Sequence, residues 1–230
     1  MIRYLKIAIG FSLCMSISIS IEAQDIRADL IKVYEKLNNS AFKLELKMEM
    51  NHWDSSIPKE TVVGRVMKKG NGYYTSFGGR ITLQNSLYSI MITEKDKKII
   101  YLPVNKSSSN NNQQDELALM NDTNMFKNIK LIKTDASGKT YEMINPQIGM
   151  KKMQLTITSN NVLKEVKYYY EKTEESPIKE VLITYSNVNF NPTFSDLDFS
   201  EKKYFQKING KEVLTTAYKD YSLLSGANYR

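Results

Sequence analysis

From Phe42 to Met50 the chain reads FKLELKMEM, apolar and charged residues in strict alternation, which is the period of a strand with one wet face. Just before it the period changes. Ile26, Leu30, Val33, Tyr34 and Leu37 recur at three- and four-residue spacing, with Arg27, Asp29, Lys32, Glu35 and Lys36 between them. That spacing predicts one amphipathic helix over 25–37, capped by Asp25 and ended by Asn38-Asn39. Strands are then predicted over 61–68, 73–77, 80–83, 86–93 and 97–102, punctuated by turns at Asn71-Gly72, Gly78-Gly79 and Lys95-Asp96. Others follow over 129–134, 139–144, 153–158, 162–171 and 178–186. The last expected pair, 204–208 and 213–223, forms a hairpin around Asn209-Gly210. Links this short require antiparallel neighbours, because a parallel crossover needs about a dozen residues.

One segment breaks the rhythm. Asn105 to Asn124 contains the run SSSNNNQQ, too polar to bury itself, followed by a weak helical pattern over 115–120. It suits a functional lid or a tolerated linker equally well. The sum is an α+β, β-dominated domain over 24–230, with that insertion at 105–124 and a C-terminal extension at 201–230.

The strands carry more grease than one core face needs. LYSIMIT (87–93) and IIYLP (99–103) place apolar residues on both faces of neighbouring strands, and Thr61 to Met67 does the same with Val62 and Val66 against Val63 and Met67. A sheet apolar on both sides has to be covered on both sides, yet few helices are available. Either the sheet encloses its own interior, or one face meets a ligand or partner. Met48, Met50, Met67, Met91, Met143 and Met153 also fall within strands. Flexible thioethers suit adaptable apolar surfaces, and equally suit irregular gaps in a core.

Composition narrows the setting. Arg3 and Lys6 precede a serine-interrupted apolar run from Ile7 to Ile21, and Ala23 follows, the layout of a secretory signal peptide over 1–23. The chain is therefore expected to be exported, most readily to a periplasm. Cys14, the one cysteine, lies inside that segment without the flanking pattern of a lipid-anchored cysteine, so no disulfide is expected. The net charge of +7 is spread among interspersed acids, which gives no footprint for nucleic acid. Catalysis has no positive support either. His52 is the single histidine, no Gly-x-Ser-x-Gly elbow is present, and no glycine-rich phosphate loop or dinucleotide fingerprint occurs. A pair of carboxylates converging from distant strands is the one hydrolytic arrangement left open. No metal or cofactor is expected.

The order of elements resembles the periplasmic outer-membrane lipoprotein carrier family, the LolA/LolB-like fold. The resemblance rests on the opening helix and long strand, on Gly64-Arg65-Val66-Met67-Lys68-Lys69-Gly70-Asn71-Gly72-Tyr73-Tyr74, and on Lys95 to Pro103 ending in Tyr-x-Pro. It continues through Met153 to Ile157, Val162 to Tyr170, Ile178 to Ser186 and Asn187 to Phe199. It implies a strongly curved antiparallel sheet, an open half-barrel, with the N-terminal helix and a short second helix over its concave face. The cavity between them would take acyl chains of lipoproteins or other lipids, each buried methylene contributing about 0.8 kcal/mol. Its expected lining is Phe42, Leu44, Leu46, Met48 and Met50 from the alternating strand, Leu30 and Tyr34 from the helix, and Val66, Ile90, Ile92 and Ile100 from the meander. Lys69 takes the family's basic position as a candidate lid latch, with Gly70 where the family has proline. The function implied is a non-catalytic carrier or binder of lipids or acylated lipoproteins, with transient membrane contact at most. The alternative is an envelope protein-interaction or stress-sensing module on the same fold.

Overall fold

The computed structural model describes residues 26–104, 128–147, 149–173 and 176–226, without the side chains of 145–147. The expected signal peptide with Cys14, the Asp25 cap, the polar insertion and its short helix over 115–120 lie outside the described residues. Helix α1 covers 26–39. The alternating strand follows as β1 (Phe42–His52), then β2 (Glu60–Lys69), β3 (Gly72–Phe77), β4 (Arg80–Gln84), β5 (Tyr88–Thr93) and β6 (Lys98–Pro103). From β2 to β6 each strand pairs antiparallel with the next. In the β2–β3 turn Gly70 stands at φ 55, a value the proline ring excludes.

The second run comprises β7 (Ile129–Asp135), β8 (Gly138–Gln147), β9 (Met150–Ile157), β10 (Leu163–Tyr170) and β11 (Ile178–Phe190). With β14 (Ser222–Ser225), hydrogen bonding orders twelve strands as β14-β6-β5-β4-β3-β2-β1-β11-β10-β9-β8-β7, so the sheet is open and the fold is α+β and β-dominated, as the periodicity predicts. The chain's end departs from expectation. The hairpin around Asn209-Gly210 forms, β12 (Phe205–Ile208) with β13 (Lys211–Leu214), its two turn residues at φ 50 and 80. The predicted strand over 213–223, however, breaks at a 3-10 turn over Thr216–Tyr218. The chain then resumes as β14 (Ser222–Ser225), parallel to β6. Local pattern does not encode that pairing, because more than a hundred residues separate the two strands.

The chain forms two compact units. The first gathers the described residues among 26–36, 50–59 and 128–182; the second gathers 37–49, 60–104 and 183–226. In the first unit α1 buries Ile26 and Val33, and the strands bury Ile129, Tyr141, Leu155, Ile157 and Val166. Register makes this one face: Tyr141 pairs with Leu155, which pairs with Val166, and Met143 pairs with Met153. In the second unit Ile81, Leu83, Ile90, Ile92 and Ile99 form a core closed by Tyr204 and Phe205. Phe205 meets Tyr88 and Tyr101 with ring centroids 5.4 and 5.1 Å apart. Asn85 fixes the approach, donating to the Phe199 carbonyl at 3.0 Å and to Glu201 at 2.8 Å. The C-terminal extension is thus the cover for one face of the two-sided sheet.

Candidate functional site

An apolar hollow lies in the first unit. It has a volume of about 140 Å³ and is lined by Ile26, Leu30, Ile129, Tyr141, Met143, Met153 and Leu155. No charged side chain enters it. An apolar cavity of about 150 Å³ stays dry and accepts a benzene-sized guest. The polar edge of α1 is tied to the strands beside the hollow. Asp29, buried on the helix, accepts from the Tyr141 hydroxyl at 2.7 Å and meets Lys139 at 3.0 Å and Lys32 at 3.7 Å. Burial by itself raises the Asp29 carboxyl, but the Tyr141 hydroxyl and Lys139 outweigh it and hold the group below its ordinary value. Lys36 adds a third tie, its ammonium donating to the Asn160 carbonyl at 2.7 Å.

The far end of α1 is held within the second unit. Lys68 donates to the Leu37 carbonyl at 3.1 Å, to the Asn38 carbonyl, and to the Asn38 side-chain oxygen at 3.4 Å. These are carbonyls that a helix leaves unpaired at its C-terminus, where a cation also complements the dipole. Burial pushes the Lys68 ammonium below the ordinary lysine value. The expected latch, Lys69, is exposed and points to the other face by strand alternation. The basic residue at the helix end is its neighbour. Parity carries the signal for this, since Lys68 shares its face with Val62 and Val66.

The eleven expected lining residues are divided between the two units. Leu30, Tyr34 and Met50 belong to the first unit, and of these only Leu30 lines the hollow. Phe42, Leu44, Leu46, Met48, Val66, Ile90, Ile92 and Ile100 belong to the second. There Ile90 and Ile92 are sealed in the core under Tyr204 and Phe205. The sheet register turns Ile100 to the opposite face, where it pairs with Met91 in the row that runs through Thr82 and Thr75 to Val66. Phe42 and Leu44 are buried, Phe42 with its ring 6.4 Å from Phe190, while Met48 is half-buried. Leu46 borders an open groove of about 610 Å³ in the second unit, with Glu45, Lys47, Val63, Arg65, Tyr74 and Ser76. Of the lining beneath α1, Met143 and Met153 were visible as strand methionines. Ile129, Tyr141 and Leu155 carry a two-residue period that any core strand shares.

No family model and no curated protein matches the chain. Solved structures match it by fold. An uncharacterized conserved protein from Thermus thermophilus aligns with 87% of this chain and 99% of its own, at 9% identity and TM-score 0.50. A LolA superfamily protein from Nitrosomonas europaea covers 79% of this chain and 98% of its own, at 13% identity and TM-score 0.33. LprF from Mycobacterium bovis covers 76% and 96%, at 13% identity and TM-score 0.37. The likeness to the Thermus protein is one of fold, and the other two superpose too loosely to assign any residue a role. Among the described residues no group of three or more His, Cys, Asp or Glu converges, and no helix is long and apolar enough to cross a membrane.

Proposed function

We propose that this chain is an exported, non-catalytic binder or carrier of lipids or acylated lipoproteins, a divergent LolA/LolB-like protein. The observation that carries the proposal is the hollow beneath α1, lined by apolar side chains alone, two of them methionines. At about 140 Å³ it takes the end of an acyl chain, whereas whole ligands occupy roughly 300–1,000 Å³. Uptake therefore requires α1 to lift or the methionines to change rotamer. The helix is held by buried Ile26 and Val33 and by polar ties at Asp29 and Lys36, so lifting it exposes only a short apolar stripe. Native mass spectrometry of the purified protein should show bound lipid, and a fluorescent fatty acid should bind and be displaced by unlabelled fatty acid. Leu30→Trp fills the hollow and should abolish that binding while the fold persists. Lipid-free preparations with no fatty-acid uptake would sink the proposal.

One observation favours a second reading, an envelope protein-interaction module. The larger groove beside Leu46 is open and mixed in polarity, a better match to an extended peptide than to an acyl chain. Crosslinking in cells to one protein, lost on Arg65→Glu and kept in Leu30→Trp, would select it.

A further inference from the structure

A second apolar feature of the first unit lies apart from the hollow beneath α1. Trp53, the only tryptophan, opens the connection between β1 and β2 and remains 37% exposed. Its backbone N–H donates to the Pro177 carbonyl at 2.9 Å, and the Lys179 ammonium stands 5.7 Å from its ring. The Pro177 bond holds the backbone of Trp53, and the indole stays partly in water beside Lys179. Ile57 in the same connection and Ile144 near the end of β8 are 41% and 44% exposed. A recess of about 440 Å³ joins Trp53 and Ile144 to Tyr170, with Lys151, Lys152 and Lys172 around it.

Three lysines against one acid, Glu171, line that recess. Lys152 is engaged, 3.0 Å from Glu142 and 4.6 Å above the Tyr169 ring, which leaves Lys151 and Lys172, both exposed, as the outward cations. Asp54 is turned to its own loop, accepting from the Ser56 N–H at 2.9 Å. Glu174 and Glu175, which follow Lys172 in sequence, lie outside the described residues. An indole and a phenol beside exposed aliphatic groups, rimmed by ammoniums, match the boundary between lipid headgroups and acyl chains. Lysines close to an anionic leaflet each contribute about 1 kcal/mol.

We propose that this end of the first unit seats on an anionic bilayer surface, with Trp53 and Ile144 at the acyl boundary and Lys151 and Lys172 against lipid phosphates. The proposal uses none of the residues lining the hollow beneath α1, so it stands or falls separately from lipid carriage.

The test uses the full chain and sucrose-loaded phosphatidylcholine vesicles, with and without about 30% phosphatidylglycerol. The protein should sediment with the anionic vesicles, and the emission of its single tryptophan should shift to the blue as the ring leaves water. Raising salt from about 0.1 to 0.5 M should release it. Lys151→Gln combined with Lys172→Gln should weaken binding roughly thirtyfold, with an unchanged thermal melt. Ile144→Ser should reduce binding to both vesicle types, whereas Lys207→Gln with Lys211→Gln in the second unit should not. No sedimentation, sedimentation without an emission shift, or equal binding to neutral vesicles at every salt concentration would overturn it. So would a blue shift produced only by an acidic protein and never by vesicles.

Discussion

Removing the Asp29 carboxylate tests whether α1 is held by its polar edge. In Asp29→Ala the Tyr141 hydroxyl and the Lys139 ammonium lose their shared acceptor while Tyr141 stays buried. A hydrogen bond from a buried hydroxyl to a charged acceptor is worth about 1.5–3 kcal/mol. Lys139, about one-third exposed, adds roughly 0.5–1 kcal/mol, and Lys32, more than half exposed, only about 0.2–0.5 kcal/mol. The expected loss is about 2–4 kcal/mol, or of order 10 °C in Tm for a chain of this size. Urea titration at neutral pH should show it as a lower midpoint with an unchanged slope. In a double-mutant cycle, Tyr141→Phe should cost little further once Asp29 is gone. The pH dependence has a definite sign. Because the folded-state carboxyl lies below its unfolded value, its stabilisation is complete above that unfolded value, about pH 4, and is lost as pH falls through the folded one. The stability gap between wild type and Asp29→Asn should therefore narrow on acidification. A loss below about 0.5 kcal/mol for Asp29→Ala, or strict additivity with Tyr141→Phe, would refute the argument.

Three further perturbations probe the rest of the frame. Lys68→Gln should cost about 1–2 kcal/mol by loosening the helix-end carbonyls, while Lys69→Gln stays within about 0.5 kcal/mol, both by urea titration. Gly138→Ala should cost more than about 3 kcal/mol. Its φ of 131 is foreign to alanine, and the added Cβ would lie 2.0 Å from the Ile157 carbonyl oxygen, so soluble yield and Tm should both drop. Phe205→Ala should cost about 3–5 kcal/mol and bind a hydrophobic dye, because it unroofs Ile90, Ile92 and Ile99; a merely decorative C-terminal segment would leave both measurements unchanged.

The elements themselves were legible because their signals are local. The alternation of FKLELKMEM, the helical spacing from Ile26 to Leu37 and the glycine turns each act over a few residues, and β1, α1 and the meander follow from them. Gly64 belongs to the same motif run for a reason that needs coordinates, since a Cβ there would come within 2.4 Å of the Ser76 carbonyl and 2.5 Å of the Phe77 ring. The candidate site was legible only in part. Periodicity marks Ile90, Ile92 and Ile100 alike as apolar, and parity separates the first two from the third. Nothing in either pattern says which face is filled.

By itself, then, the sequence determined the period of each segment and the presence of two apolar faces where one core would need one. Tertiary structure decided what covers each of them. Tyr204 and Phe205 close over strands more than a hundred residues earlier, Asp29 finds Tyr141, and Lys68 rather than Lys69 reaches the helix end. Burial free energy is nearly indifferent to which apolar surface supplies the cover, so that choice is made by register, reach and the few directional polar bonds that fix them.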